Sequence, residues 1–277
     1  MKFATIYTPS GTCAALVEGE GLREIPGAAS LDELLEQGRL ADAVTRATGP
    51  CHRVESVSFA PVVTRPSKVI CVGHNYRAHI EEMGRDIPDH PVLFAKFAHS
   101  LLGAGHDIVL PPQSQSVDWE CELAVIIGST VRHATGQQAA DAIAGYSLCN
   151  DISMRDWQFR TGQWLQGKMW EASTPLGPYL VTADELPASG AIITTAVDGQ
   201  VKQRGDIHDL VFSPAYLVEY ISTIITLNPG DVILTGTPGG VGFARQPQEF
   251  LSAGQSVTVA LEGLGQLTNR LVAQEEA

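Results

Sequence analysis

Apolar residues along this chain fall into strand-length runs punctuated by glycine and proline, with few segments of helical period. Residues 3–7 and 14–18 read as strands joined by a turn at Pro9-Ser10-Gly11, and residues 31–37 as a helix capped by Ser30, with Glu33 three positions on. Beyond Pro61 and Pro66 the apolar runs lengthen. Residues 69–72, 123–127, 191–197, 232–234 and 257–261 predict strands, and helices are predicted over 136–144, 154–159 and 214–224. Strands dominate without a regular βαβ alternation, so the pattern predicts a β-rich α+β fold, a roll of mixed topology and not a doubly wound sheet. A soft boundary is expected near Pro66, giving a small N-terminal α+β domain (1–65) and a larger second domain (66–277). The short acidic end, 274–277, is the one biased segment.

Composition narrows the function classes. The 277 residues are 44% hydrophobic and 18% charged, enough apolar mass for a sizeable core. With 31 acidic against 18 basic residues and a net charge of -13, the chain is not expected to bind nucleic acid, which needs clustered Lys and Arg. An anionic substrate remains compatible, because a metal ion and a few local cations can hold one in an acidic protein. Five scattered cysteines, Cys13, Cys51, Cys71, Cys121 and Cys149, form no C-x-x-C pair; they read as small buried hydrophobes in a reducing compartment. There is neither a signal-length apolar segment at the N-terminus nor a run of membrane-spanning length. The expected location is the cytoplasm, with no membrane partner.

Five stretches carry candidate chemistry. In Asp118-Trp119-Glu120-Cys121-Glu122 the strand period of two projects Glu120 and Glu122 together. Such a pair suits a hard cation, Mg²⁺, Mn²⁺ or Ca²⁺, although a solvated strand edge reads the same way. After Tyr146-Ser147-Leu148-Cys149-Asn150-Asp151, a helix would place Asp151, Arg155 and Gln158 on one face; a surface ion pair is the plain alternative. His79 and Glu82, three apart in a polar segment bounded by Gly73 and Gly84, have the spacing of a base and its orienting carboxylate, or of an exposed helical turn. Lys168, between Gly167 and Met169, is either partly buried and placed to hold an anion or a snorkelling surface lysine. The glycine-rich run 229–242 lacks both phosphate-loop patterns and reads as a strand and tight turn presenting Thr237. No G-x-S-x-G elbow is present.

Taken in order, D-W-E-x-E-L, G-Y-x-x-x-N-D-I-S-x-R-D-x-Q, G-K, P-L-G-P and L-x-P-G-D-V-I-L-T-G-T-P-G-G-V-G resemble the fumarylacetoacetate hydrolase family from about Pro66 to Asn269. The resemblance implies that Glu120, Glu122 and Asp151 bind one divalent cation, Mg²⁺ or Mn²⁺, with Ca²⁺ as a stand-in in crystals. It also implies that His79 and Glu82 form a water-activating dyad on a lid, that Lys168 stabilises an oxyanion, and that Arg155, Gln158 and Thr237 contact substrate. The implied activity is hydrolysis of a C–C bond in an acylpyruvate such as fumarylpyruvate, giving pyruvate and a carboxylic acid in aromatic-compound catabolism. Oxaloacetate decarboxylation and isomerisation of an unsaturated 2-oxo diacid are alternatives on the same site, and a non-catalytic metal-dependent binding protein is a third. A homodimer is implied. Glu171 and Trp170 depart from the family's K-x-F-D wording and are expected to reshape the pocket wall.

Overall fold

The computed structural model describes residues 1–274 except 83, 85 and 188; most of the acidic end lies outside the described residues. The architecture is β-rich α+β, as the apolar pattern predicts. One large sheet runs in the order Cys51–Arg53, Gly21–Glu24, Gly11–Glu18, Lys2–Thr8, Thr174–Thr182, Ile143–Asn150, Cys121–Ile127, Val232–Leu234, Val69–Gly73, Val92–Lys96. Neighbours along this order are antiparallel except Val232–Leu234 beside Val69–Gly73, which pair in parallel. A second sheet is ordered Gln200–Asp206, Ile192–Val197, Ser256–Leu261, Gly265–Ala273, Ile108–Leu110.

Cys121–Ile127 sits near the middle of the large sheet and is buried at every position, so it reads in sequence as a continuous apolar run. Its two faces serve different cores. Leu123, Val125 and Ile127 pack with Ile193, Val259 and Leu261 of the second sheet and with Leu217 and Ile221 of the helix Pro214–Ile224. Ala124 and Ile126 pack instead with Leu31, Leu34, Cys149 and Leu234. Glu122 shares the parity of Ala124 and Ile126, and carboxylates in such a position must be satisfied locally.

Several local expectations need correction. The helix Leu31–Glu36 forms, but the Ser30 hydroxyl makes no capping bond; Glu33 accepts the Ala29 N–H at 2.9 Å instead. The predicted helix 136–144 is confined to Gln137–Asp141, because Ile143 is already paired with Ile127. The predicted helix 154–159 is the single turn Arg155–Gln158, since Ser153–Met154 pairs as a strand with Val117–Asp118. Pro214–Ile224 agrees with the prediction, with Ser213 accepting the Tyr216 N–H and Pro214 in the first turn. All five cysteines are free; Cys71, Cys121 and Cys149 are buried, whereas Cys13 is half-buried and Cys51 exposed. No helix among the described residues is long and apolar enough to cross a membrane.

Candidate active site

Two adjacent strand ends build the centre of the site. Glu120 immediately precedes the strand Cys121–Ile127, Asp151 follows Ile143–Asn150, and Cys121 and Asn150 are paired in register. The Asp151 N–H donates to the Glu120 carbonyl at 2.8 Å, and the Glu120 N–H donates to Asn150 Oδ1 at 3.0 Å, closing the two ends together. Glu120, Glu122 and Asp151 each bring a carboxylate oxygen within 4.8 Å of the others, and all three are buried. The strand period thus does for Glu120 and Glu122 what the sequence pattern requires.

Charge compensation in this centre is uneven. Lys168 Nζ donates to Glu120 Oε2 at 2.7 Å and to Asp151 Oδ2 at 2.9 Å. Lys96 Nζ donates to Asp151 Oδ1 at 2.5 Å, and Arg155 Nη1 pairs with Glu120 Oε1 at 2.6 Å. Burial opposes ionisation of Glu120, but Lys168 and Arg155 outweigh it and hold the carboxyl down at about 2. For Lys168, burial works against the charge, yet Asp151 and Glu120 push it up to about 12. Among the described residues no cation lies within ion-pair distance of Glu122, whose Oε2 accepts only the Gly236 N–H at 2.7 Å. Burial, followed by the neighbouring Asp151 and Glu120, therefore drives Glu122 well above the usual carboxylate range. Three clustered oxygen donors, one lacking a countercharge, fit a hard divalent cation.

A cavity of about 60 Å³ opens beside this centre, lined by His79, Glu120, Glu122, Arg155, Gln158, Lys168 and Thr237 among others. Seven of the nine sequence-predicted residues line it, and the other two, Asp151 and Glu82, touch lining residues. His79 and Glu82 lie on the helix Arg77–Glu82, with Nδ1 and Oε2 3.1 Å apart. The hydrogen bond to His79 is the main cause that holds Glu82 below the usual carboxylate range. An ionised Glu82 is only an acceptor, so Nδ1 carries the proton and Nε2 is left as the basic nitrogen. Glu82 also accepts the Gly240 N–H, at 3.2 and 3.1 Å to its two oxygens.

The expected ion pair along a helix face through Asp151 and Arg155 does not form. Asp151 lies outside the turn Arg155–Gln158 and is taken by Lys96 and Lys168, while Arg155 donates through Nε to Asp118 Oδ2 at 2.9 Å and through Nη1 to Gln158 Oε1 at 2.9 Å. Trp170 and Glu171 are also not on the site cavity. They border a separate cleft of about 350 Å³ with Trp157, Gln166 and Met169, so their departure from the family wording does not reshape the wall of the site.

Three supporting residues escaped the sequence reading. Lys96 is fully buried at the end of the strand Val92–Lys96, and a lysine closing an apolar run was the available signal. Asp118 fixes Arg155 and accepts the Gly242 and Phe243 N–H groups at 2.7 and 2.9 Å. Gln203 is the tie between strand and turn: Oε1 accepts the Cys121 N–H, and Nε2 donates to Thr237 Oγ1 and the Pro238 carbonyl. It lies some eighty positions from Cys121, and no local pattern announces it.

The model of the family described as fumarylacetoacetate (FAA) hydrolase C-terminal matches residues 68–272. A human protein named as a mitochondrial oxaloacetate tautomerase is 43% identical over 250 residues, covering 88% of this chain and 80% of its own length. Among solved structures, the fumarylacetoacetate hydrolase from Exiguobacterium antarcticum superimposes with a TM-score of 0.89 at 31% identity, over 99% of this chain and 100% of its own. A 5-carboxymethyl-2-hydroxymuconate delta-isomerase from Mycobacterium smegmatis gives 0.82 at 36% identity over the whole of both chains. With sequence and fold agreeing over most of its length, the chain belongs to the fumarylacetoacetate hydrolase family.

Proposed function

We propose that this protein is a divalent-cation-dependent enzyme that moves a proton between carbon and oxygen of a small 2-oxo diacid, with keto–enol interconversion of oxaloacetate as its reaction. The observation that carries this reading is His79, oriented by an ionised Glu82, on the same small cavity as the three carboxylates. Resemblance to relatives named as oxaloacetate tautomerases supports the choice of substrate.

Glu120, Glu122 and Asp151 would hold the cation, Mg²⁺ or Mn²⁺, which when bound supplies Lewis acidity toward a 2-oxo oxygen. Arg155 and Gln158 face the cavity and are suited to a substrate carboxylate, and Gln203 holds Thr237 where it borders the same space. His79 Nε2 takes the proton from C3; the C–H electron pair becomes the C2–C3 double bond, the C=O π pair moves onto the oxygen, and the His79 imidazolium returns its proton to that oxygen to give the enol. Glu82 stabilises the imidazolium formed on the way.

A second reading rests on the same dyad: His79 could take its proton from water and drive hydrolysis of an acylpyruvate. The test follows decay of the enol absorbance of oxaloacetate beside pyruvate release from acetylpyruvate, fumarylpyruvate and oxaloacetate, each with Mg²⁺ and with EDTA. Cation-dependent enol decay without pyruvate release supports tautomerisation. Faster pyruvate release from an acylpyruvate makes the protein a hydrolase, release from oxaloacetate makes it a decarboxylase, and no turnover that EDTA abolishes overturns all three.

A further inference from the structure

Beside the charged centre the cavity has an aromatic boundary. Lys168 Nζ lies 5.3 Å from the Phe94 ring centroid. Phe94 meets Trp164 edge-on with centroids 5.5 Å apart, and Trp164 meets the His74 ring edge-on at 5.3 Å. Phe94, Trp164 and His74 all line the cavity.

Trp164 is seated directly on backbone. A Cβ built on Gly73 would fall 2.4 Å from Trp164 Cζ3 and 2.9 Å from Cη2, closer than any real contact. Gly73 is not among the glycines with positive φ, so it is the indole, and not the backbone conformation, that calls for glycine there. Gly73 and Phe94 back the indole on two sides. Phe159, another lining residue, is 48% exposed and leans on Phe243, so it can yield to a ligand. The open space, about 60 Å³, accommodates only a handful of water-sized groups.

We propose that Trp164, seated on Gly73 and braced by Phe94, is the end wall that sets substrate length, admitting a compact 2-oxo diacid and turning away longer chains. The proposal rests on the reading of this cavity as the 2-oxo acid site. Discrimination follows from packing: each methylene that overlaps a wall unable to yield costs about tenfold in kcat/KM.

The experiment measures C3 hydrogen–deuterium exchange by NMR, with Mg²⁺, for oxaloacetate, 2-oxoglutarate and 2-oxoadipate, in the wild type, Trp164→Leu and Gly73→Ala. Comparing each variant with wild type acid by acid removes the intrinsic acidity of each substrate. Trp164→Leu is expected to raise kcat/KM for 2-oxoadipate, two methylenes longer, relative to oxaloacetate by at least about tenfold. Gly73→Ala, which pushes the indole into the cavity, is expected to raise KM for oxaloacetate while Mn²⁺ affinity stays at the wild-type value. Length profiles in Trp164→Leu that run parallel to wild type overturn the wall. If the wild type exchanges none of the acids, the functional reading fails, and calorimetric binding of the same three acids to the Mn²⁺-loaded variants decides the wall separately: an unchanged length preference refutes it.

Discussion

The carboxylate centre and the dyad border one cavity, yet the fold holds them by different means. Glu122 stands on a central strand of the large sheet, and Glu120 and Asp151 flank two such strands, all three buried, with Asn150, Lys96 and Lys168 bonded to them. The dyad rides on the six-residue helix Arg77–Glu82, and Glu82, its side chain 34% exposed, is tied to the rest of the molecule through the Gly240 N–H. A centre of that kind is suited to fixing a cation and a substrate's chelating atoms in one geometry. A base carried on one short helix at the edge of the cavity is suited to moving as substrate enters and leaves. Binding and proton transfer should therefore separate under mutation.

The largest effect is expected at the centre. Glu122→Ala removes the carboxylate that lacks a countercharge and should weaken Mn²⁺ binding, read by calorimetric titration, by at least about 100-fold, with turnover lost. Unchanged affinity would dismantle the assignment of the centre as a cation site. Lys96→Met asks whether the centre depends on its own lysines. Asp151 would lose a buried partner, costing about 3 kcal/mol and lowering Tm by about 6–12 °C, with part of the loss recovered by Mn²⁺. A Tm equal to that of the wild type would mean that Lys168 alone compensates Asp151. At the rim, His79→Ala should cut the rate by about 10²-fold or more while Mn²⁺ affinity stays intact. Loss of both together would erase the distinction between the two regions.

The two regions were also unequally legible. The parity of Glu120 and Glu122 on a strand, and the spacing of His79 and Glu82, are local facts that the sequence carries directly, and the structure brings these residues together. Asp151 was found beside them, but its partners were not: helical spacing pointed to Arg155, whereas the turn Arg155–Gln158 starts too late to include Asp151. Lys96 and Gln203 reach the site through strand pairing across long separations, which periodicity does not encode. Trp164 is legible only once Gly73 is seen beneath it.

The smallest effect concerns the charge that aligns the base. Glu82 is held below its usual value of 4.5 chiefly by the hydrogen bond from His79, with burial opposing and the Gly240 N–H assisting. A folded-state value below the unfolded one gives stabilisation that is complete above the unfolded value and disappears as pH falls through the folded one. Glu82→Gln keeps the shape and an acceptor oxygen but removes the charge. Because the carboxylate is partly exposed, solvent screening limits its worth to under about 1 kcal/mol. The variant should therefore melt only about 1–3 °C below wild type at pH 7. The two should converge once the pH falls below the folded-state value, where the wild-type carboxyl is protonated as well. The rate should be the more sensitive readout, because without the anion the imidazolium formed on proton abstraction loses its partner while KM is left nearly unchanged. If the variant matches wild type in rate and in pH dependence, Glu82 serves only to tie the helix Arg77–Glu82 to Gly240, and His79 works without an orienting charge.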